Sequence, residues 1–124
     1  MTDIAARNRA NKRKGADWEA DLRDGLRSAG EDVERLRLSG DQDEGDLVVR
    51  EEDGRFLIIE AKNAKFEPGK FLDEALTERE NFTKHRHLDP DLVDAIVIVK
   101  RRGKNWRKAF VLTTVEDYFG LDPE

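Results

Sequence analysis

Gly45-Asp46-Leu47-Val48-Val49-Arg50 and Arg55-Phe56-Leu57-Ile58-Ile59-Glu60-Ala61-Lys62 are apolar, β-branched runs on either side of Glu51-Glu52-Asp53-Gly54. That pattern predicts a β-hairpin closed by a short acidic loop. Side chains alternate along a strand, so Phe56, Ile58, Glu60 and Lys62 share one face and Leu57, Ile59 and Ala61 the other. Glu60 and Lys62 thus stand side by side at the end of a strongly apolar strand, where a charge is costly to bury unless paired or bound to a metal. Asp46 opens the partner strand and can approach the same end of the hairpin. An Asp, a Glu and a Lys converging on one spot can bind a divalent cation and still place an ammonium beside it.

Before the hairpin, Trp18, Leu22, Gly25, Leu26 and Ala29 form an amphipathic helix from about Lys14, stopped by Gly30. Glu19 lies on the margin of its buried face, and spacing alone reads it as an ordinary solvated glutamate. Val33 to Leu38 reads as the first strand, with Leu36 and Leu38 on one face and Arg35 and Arg37 on the other. Ser39-Gly40 ends it, and a serine there caps a turn as a rule. Gly40 to Gly45 is a polar, acidic loop.

After the hairpin, Phe66-Glu67-Pro68-Gly69 is a turn, and Phe71, Leu72, Ala75, Leu76, Arg79 and Phe82 mark a second amphipathic helix to about Arg86. A helix between strands is the expected crossover of a parallel pair. His85 and His87 read as surface residues, because residues two apart do not share a helix face. Ala95 to Val99 has the pattern of a central strand buried on both faces. Trp106 to Thr113 reads as a last strand, and Thr114 as the N-cap of a short helix holding Tyr118 and Phe119. Phe110, Leu112, Tyr118 and Phe119 read as core, with an interface between two copies as the alternative. The order α-β-β-β-α-β-β-α is that of an α/β fold with a mixed central sheet flanked by helices.

The 124 residues allow one domain. Residues 1–12 show no apolar periodicity and read as a flexible basic arm or a frayed helix start, leaving 13–124 as the domain. No apolar run approaches a membrane span, and no cysteine offers thiolate chemistry or a disulfide, which fits a cytoplasmic protein. The net charge is −5, but its distribution is uneven. Arg7, Arg9, Lys12, Arg13 and Lys14 form one basic block; Lys100, Arg101, Arg102, Lys104, Arg107 and Lys108 form another. Acids gather at Asp41, Asp43, Glu44 and Asp46, and at Glu51 to Asp53. Cations for phosphates and carboxylates for a metal would suit a nuclease; a solvated surface is the plainer reading of each block.

Asp46 following Gly45, then thirteen residues, then Glu60-Ala61-Lys62, resembles the PD-(D/E)XK nuclease signature, with Gly-Asp in place of Pro-Asp. With Lys14-Gly15, Trp18-Glu19, Ser39-Gly40 and Asn63 in order around it, the set resembles the archaeal-type Holliday junction resolvases over roughly residues 12–65. The resemblance implies a restriction-endonuclease-like fold and a homodimer that cuts four-way DNA junctions in symmetric pairs, leaving a 5′-phosphate and a 3′-hydroxyl. It implies Mg²⁺, with Mn²⁺ able to substitute, held by Asp46, Glu60, the Ala61 carbonyl and Glu19. It makes Lys62 a group that orients or deprotonates water or stabilises negative charge, and Ser39 a contact to the scissile phosphate or its water. DNA would be held by Arg7, Arg9, Lys12, Arg13, Lys14, Arg37, Asn63, Lys65, Lys100, Arg101, Arg102 and Lys104. The acidic Asp41–Glu44 loop would repel DNA unless a metal or a neighbouring arginine masks it. The alternatives are a nuclease of this superfamily acting on other DNA structures, and a catalytically silent DNA-binding module.

Overall fold

A computed structural model describes residues 3–36 and 44–122. Its elements are α1 (Asp3–Ser28), β1 (Asp32–Arg35), β2 (Leu47–Arg50), β3 (Phe56–Lys62), α2 (Pro68–His85), β4 (Val93–Val99), β5 (Phe110–Leu112) and α3 (Val115–Phe119). Single 3₁₀ turns at Pro90–Leu92 and Trp106–Lys108 precede β4 and β5. The strands form one sheet in the order β1-β2-β3-β4-β5. Only β3 and β4 are parallel, joined by α2 as the crossover; the other neighbours are antiparallel. The expected hairpin is β2–β3, with Leu47 opposite Ile59 and Arg50 opposite Phe56. This is a mixed α/β fold with a five-stranded sheet flanked by helices.

Two apolar clusters fill the two faces. Val48, Ile58, Val93, Ala95, Val97 and Val99 pack with Phe71, Ala75 and Phe82 of α2. Val33, Leu47, Val49, Ile59 and Ile98 pack with Trp18 and Leu22 of α1. β4 contributes to both, as its unbroken β-branched run requires. Among the described residues no helix is long and apolar enough to cross a membrane.

The direction of α1 positions everything that follows. Trp18 Nε1 donates to Ile98 O at 3.3 Å, near the carboxyl end of β4. Arg27 Nε donates to Val33 O at 2.9 Å, and Val33 lies across β2 from Leu57 near the amino end of β3. The helix therefore runs antiparallel to β3 and β4. Its 26 residues extend about 39 Å. Its first dozen residues overhang the carboxyl end of those strands.

Three elements differ from expectation. α1 begins at Asp3, so the residues read as an arm continue the helix. Ala, Arg and Lys there favour helix without needing an apolar face, and apolar periodicity is blind to a helix that leaves the core. Trp106 starts a 3₁₀ turn rather than a strand, because Asn105 caps it by accepting from Arg107 N. The indole then packs on Gly25 of α1, where any Cβ would collide with it. Finally, Phe110, Tyr118 and Phe119 are exposed rather than core, while Leu112 is half-buried. β5 is an edge strand, last in the sheet. Thr114 caps α3 as expected, its hydroxyl accepting from Asp117 N at 3.1 Å.

Candidate active site

Gly45 sets the geometry of the site. Its φ of +107° is open to glycine and closed to proline, whose ring fixes φ near −65°. This backbone therefore has no room for a proline before the aspartate. A Cβ at Gly45 would also meet Ile58 Cγ2 at 2.6 Å and Glu78 Oε2 at 3.5 Å. Asp46 is next, with its backbone held on both sides: its N–H donates to Ile59 O at 3.1 Å, and its carbonyl accepts from Leu36 N at 2.9 Å. Its side chain turns toward β3, where Oδ2 accepts from Ala61 N at 2.8 Å. The hairpin thus brings Asp46 to Glu60-Ala61-Lys62 as the sequence predicts.

Glu60 is only 7% exposed, and no N–H or hydroxyl among the described residues reaches its Oε2; its side chain hydrogen-bonds with the carboxyls of Glu78 and Asp46. Its neighbours are carboxyl groups, Asp46 on one side and Glu78 of α2 on the other. Burial first, and then Glu78, push the Glu60 carboxyl up to about 8. Burial and then the Glu60 charge push Asp46 up to about 7. Neighbouring buried carboxyls hold protons in this way unless a cation takes the place of the protons.

Lys62 lies at the margin of this cluster. Its Nζ is 2.6 Å from Glu74 Oε2 and 3.6 Å from Glu60 Oε1. The ring of Phe71 lies beneath it, 5.3 Å from centroid to Nζ. Burial alone would push the ammonium down, but Glu74 and then Glu60 outweigh it and raise its pKa. The ammonium form is thereby favoured in the metal-free site.

Glu19 approaches from α1. Burial and the nearby Asp46 raise its pKa, but its ion-pair partner is Arg35 at 3.0 Å. Ala61, whose carbonyl was expected to face a metal, contributes its N–H to Asp46. Arg37 and Ser39 lie outside the described residues. Glu44, at the end of the acidic loop, is held by His85 Nδ1 at 3.2 Å and Arg86 Nη2 at 3.4 Å. Arg86 thus pairs with Glu44, while Asp41, Gln42 and Asp43 lie outside the described residues.

Glu74 and Glu78 were missed by the sequence reading. The legible signal was the apolar stripe of α2, where Phe71, Ala75 and Phe82 are buried and Glu78 occupies the remaining inward position. Both glutamates line an open groove of about 710 Å³ along α2, with Gly69, Lys70, Asp73, Thr77 and Asn81, and Asp46 and Glu60 are not among its lining residues.

Hard oxygen donors suit Mg²⁺, which takes one or two carboxylates and fills its remaining positions with water and phosphate. The Asp46–Glu60 pair, with a buried Glu60 oxygen that carboxyls approach and no N–H reaches, fits that requirement. Among the described residues no three acidic or histidine side chains are already gathered as a metal cage.

The basic residues converge on the same end of the sheet. Lys100 N donates to Lys62 O at 2.9 Å, and Lys100 Nζ lies over the Trp18 ring, one helical turn from Lys14. The two basic blocks therefore meet at one corner. Arg7, Arg9, Lys12, Arg13 and Lys14 are exposed on the α1 overhang, and Lys65, Arg102 and Lys104 are exposed in the loops that follow β3 and β4. Asn63 is half-buried just past β3, and Arg101 stacks on Phe110 at 5.0 Å. No family model matches the chain, and none of the curated proteins compared with it matches.

Proposed function

We propose that the chain is a Mg²⁺-dependent, structure-selective DNA endonuclease of the restriction-endonuclease-like class, acting in the cytoplasm as a homodimer on four-way junctions. The observation that carries this reading is the buried Asp46–Glu60 pair, with a carboxyl oxygen that no N–H reaches, beside a lysine ammonium.

Asp46 and Glu60 would hold the metal, with Glu19 within electrostatic reach. When bound, Mg²⁺ supplies an activated water and neutralises charge on the scissile phosphate. The Ala61 N–H keeps Asp46 turned toward Glu60. Lys62, held as an ammonium, stabilises negative charge developing on the phosphate oxygens. Water adds to phosphorus, the bond to the 3′ oxygen breaks, and a 5′-phosphate and a 3′-hydroxyl result.

The α1 overhang and the Lys100 loop offer phosphate contacts without base readout, which gives shape-selective and sequence-independent binding. Exposed Phe110, Val111, Tyr118 and Phe119 around the edge strand β5 support a face between two copies.

Incubating a labelled four-way junction and a linear duplex of the same arms with Mg²⁺ or EDTA tests this. Paired symmetric nicks on the junction alone, absent with EDTA and reduced to a slow residual rate in Lys62→Ala, are expected. Equal cutting of both substrates would replace junction selectivity with a general nuclease. Metal-independent binding without cutting would leave a silent DNA-binding module.

A further inference from the structure

The partner of Lys62 is the unexpected feature of the site. Its ammonium lies 2.6 Å from Glu74 on α2, a full ångström closer than the 3.6 Å to Glu60 on its own strand. Glu74 is well placed to hold it. Phe71 and Ala75 anchor the same turn of α2 in the core, and the Phe71 ring supports the ammonium from below. A lysine has a flexible four-carbon stem and a compact charge that will pair with whichever carboxylate is nearest. Without Glu74, the nearest carboxylate is Glu60. An ammonium collapsed onto Glu60 would neutralise the oxygen that a divalent cation needs, and would withdraw the positive charge from the substrate side.

We propose that Glu74 is a positioning residue, whose carboxylate holds the Lys62 ammonium on the α2 side of the site and off Glu60. The proposal rests on the nuclease reading above and deepens it. The effect of Glu74 is exerted through Lys62. A merely structural ion pair at this half-buried position would affect stability slightly and cleavage not at all.

The test is a double-mutant cycle on junction cleavage with Glu74→Ala, Lys62→Ala and both together. Glu74→Ala is expected to lower kcat by about tenfold or more, with little change in KM. Glu74→Gln, which keeps an oxygen acceptor, is expected to lose less. In the Lys62→Ala background Glu74→Ala is expected to have no further effect. A full loss in that background, or wild-type kcat in Glu74→Ala, would overturn the proposal while leaving the nuclease reading intact.

A second readout needs no activity. In the ¹⁵N-labelled protein an ion-paired Lys62 ammonium gives a slowly exchanging NMR signal, expected in the wild type and lost in Glu74→Ala. If the wild type cuts nothing, that signal still decides. Its dependence on Glu74 would uphold the clamp while the nuclease reading fails, and its persistence in Glu74→Ala would overturn the clamp.

Discussion

The two ends of the β3–β4 pair carry charge in opposite ways. At the amino end, Arg55 and Asp94 make an exposed ion pair at 3.1 Å, and the solvated acids Glu51 and Asp53 of the hairpin loop lie near the same guanidinium. At the carboxyl end, Asp46, Glu60 and Glu78 crowd together in partial or full burial, with the Lys62 ammonium drawn off toward Glu74. The same two strands support both ends, so the sheet does not require the imbalance. A solvated pair is a surface feature of little energetic consequence. An excess of buried carboxyls costs stability when ionised, and a cation or a substrate is what would relieve it.

The largest expected effect lies in the chemistry. Glu60→Gln and Asp46→Asn should each lower cleavage by roughly a thousandfold or more. Circular dichroism should show both folded, and melting above wild type at pH 8, because an amide removes a buried charge. Loss of activity through unfolding would remove the contrast between the two ends.

Next comes the pH dependence of stability without metal. Asp46 and Glu60 hold protons in the folded state up to about 7 and about 8, whereas carboxyls in the unfolded chain release theirs near 4. Between those values the folded state binds more protons, so stability is full below about pH 4 and falls as pH rises through 7 to 8. The loss should be several kcal/mol by denaturant unfolding. Glu60→Gln should flatten the slope, whereas Asp94→Asn should leave it unchanged.

The glycines at the two ends separate strain from collision. Gly45→Ala should cost about 2–3 kcal/mol, since a positive φ is joined by contact with Ile58. Gly54→Ala in the hairpin turn has positive φ but open space, and should cost about 1 kcal/mol. The smallest effect is Arg55→Ala, expected to change stability by less than about 1 kcal/mol and cleavage not at all.

The hairpin was legible in full. Period-two alternation placed Glu60 and Lys62 on the α2 face and Ala61 on the α1 face, because a strand buried on both sides leaves little freedom of register. The crossover helix and the central β4 were legible for the same reason. Glu74 and Glu78 were not, since a search for apolar periodicity passes over a glutamate in a buried stripe, and what makes that glutamate tolerable comes from another strand. The exposed aromatics of β5 and α3 were misread because composition marks an aromatic as core, while only topology reveals that its strand is last in the sheet. The pairing of Lys62 with Glu74 depends on tertiary distance alone.

Thermal unfolding at pH 8 with and without excess Mn²⁺, on the wild type and Glu60→Gln, tests the central claim most directly. If the carboxyl end of β3 is a divalent-cation site, Mn²⁺ should raise the wild-type Tm by several degrees, as binding to the folded state requires. The same addition should leave Glu60→Gln nearly unmoved. An unchanged wild-type Tm, or an equal rise in both proteins, would contradict the assignment of Asp46 and Glu60 as the residues that hold the metal.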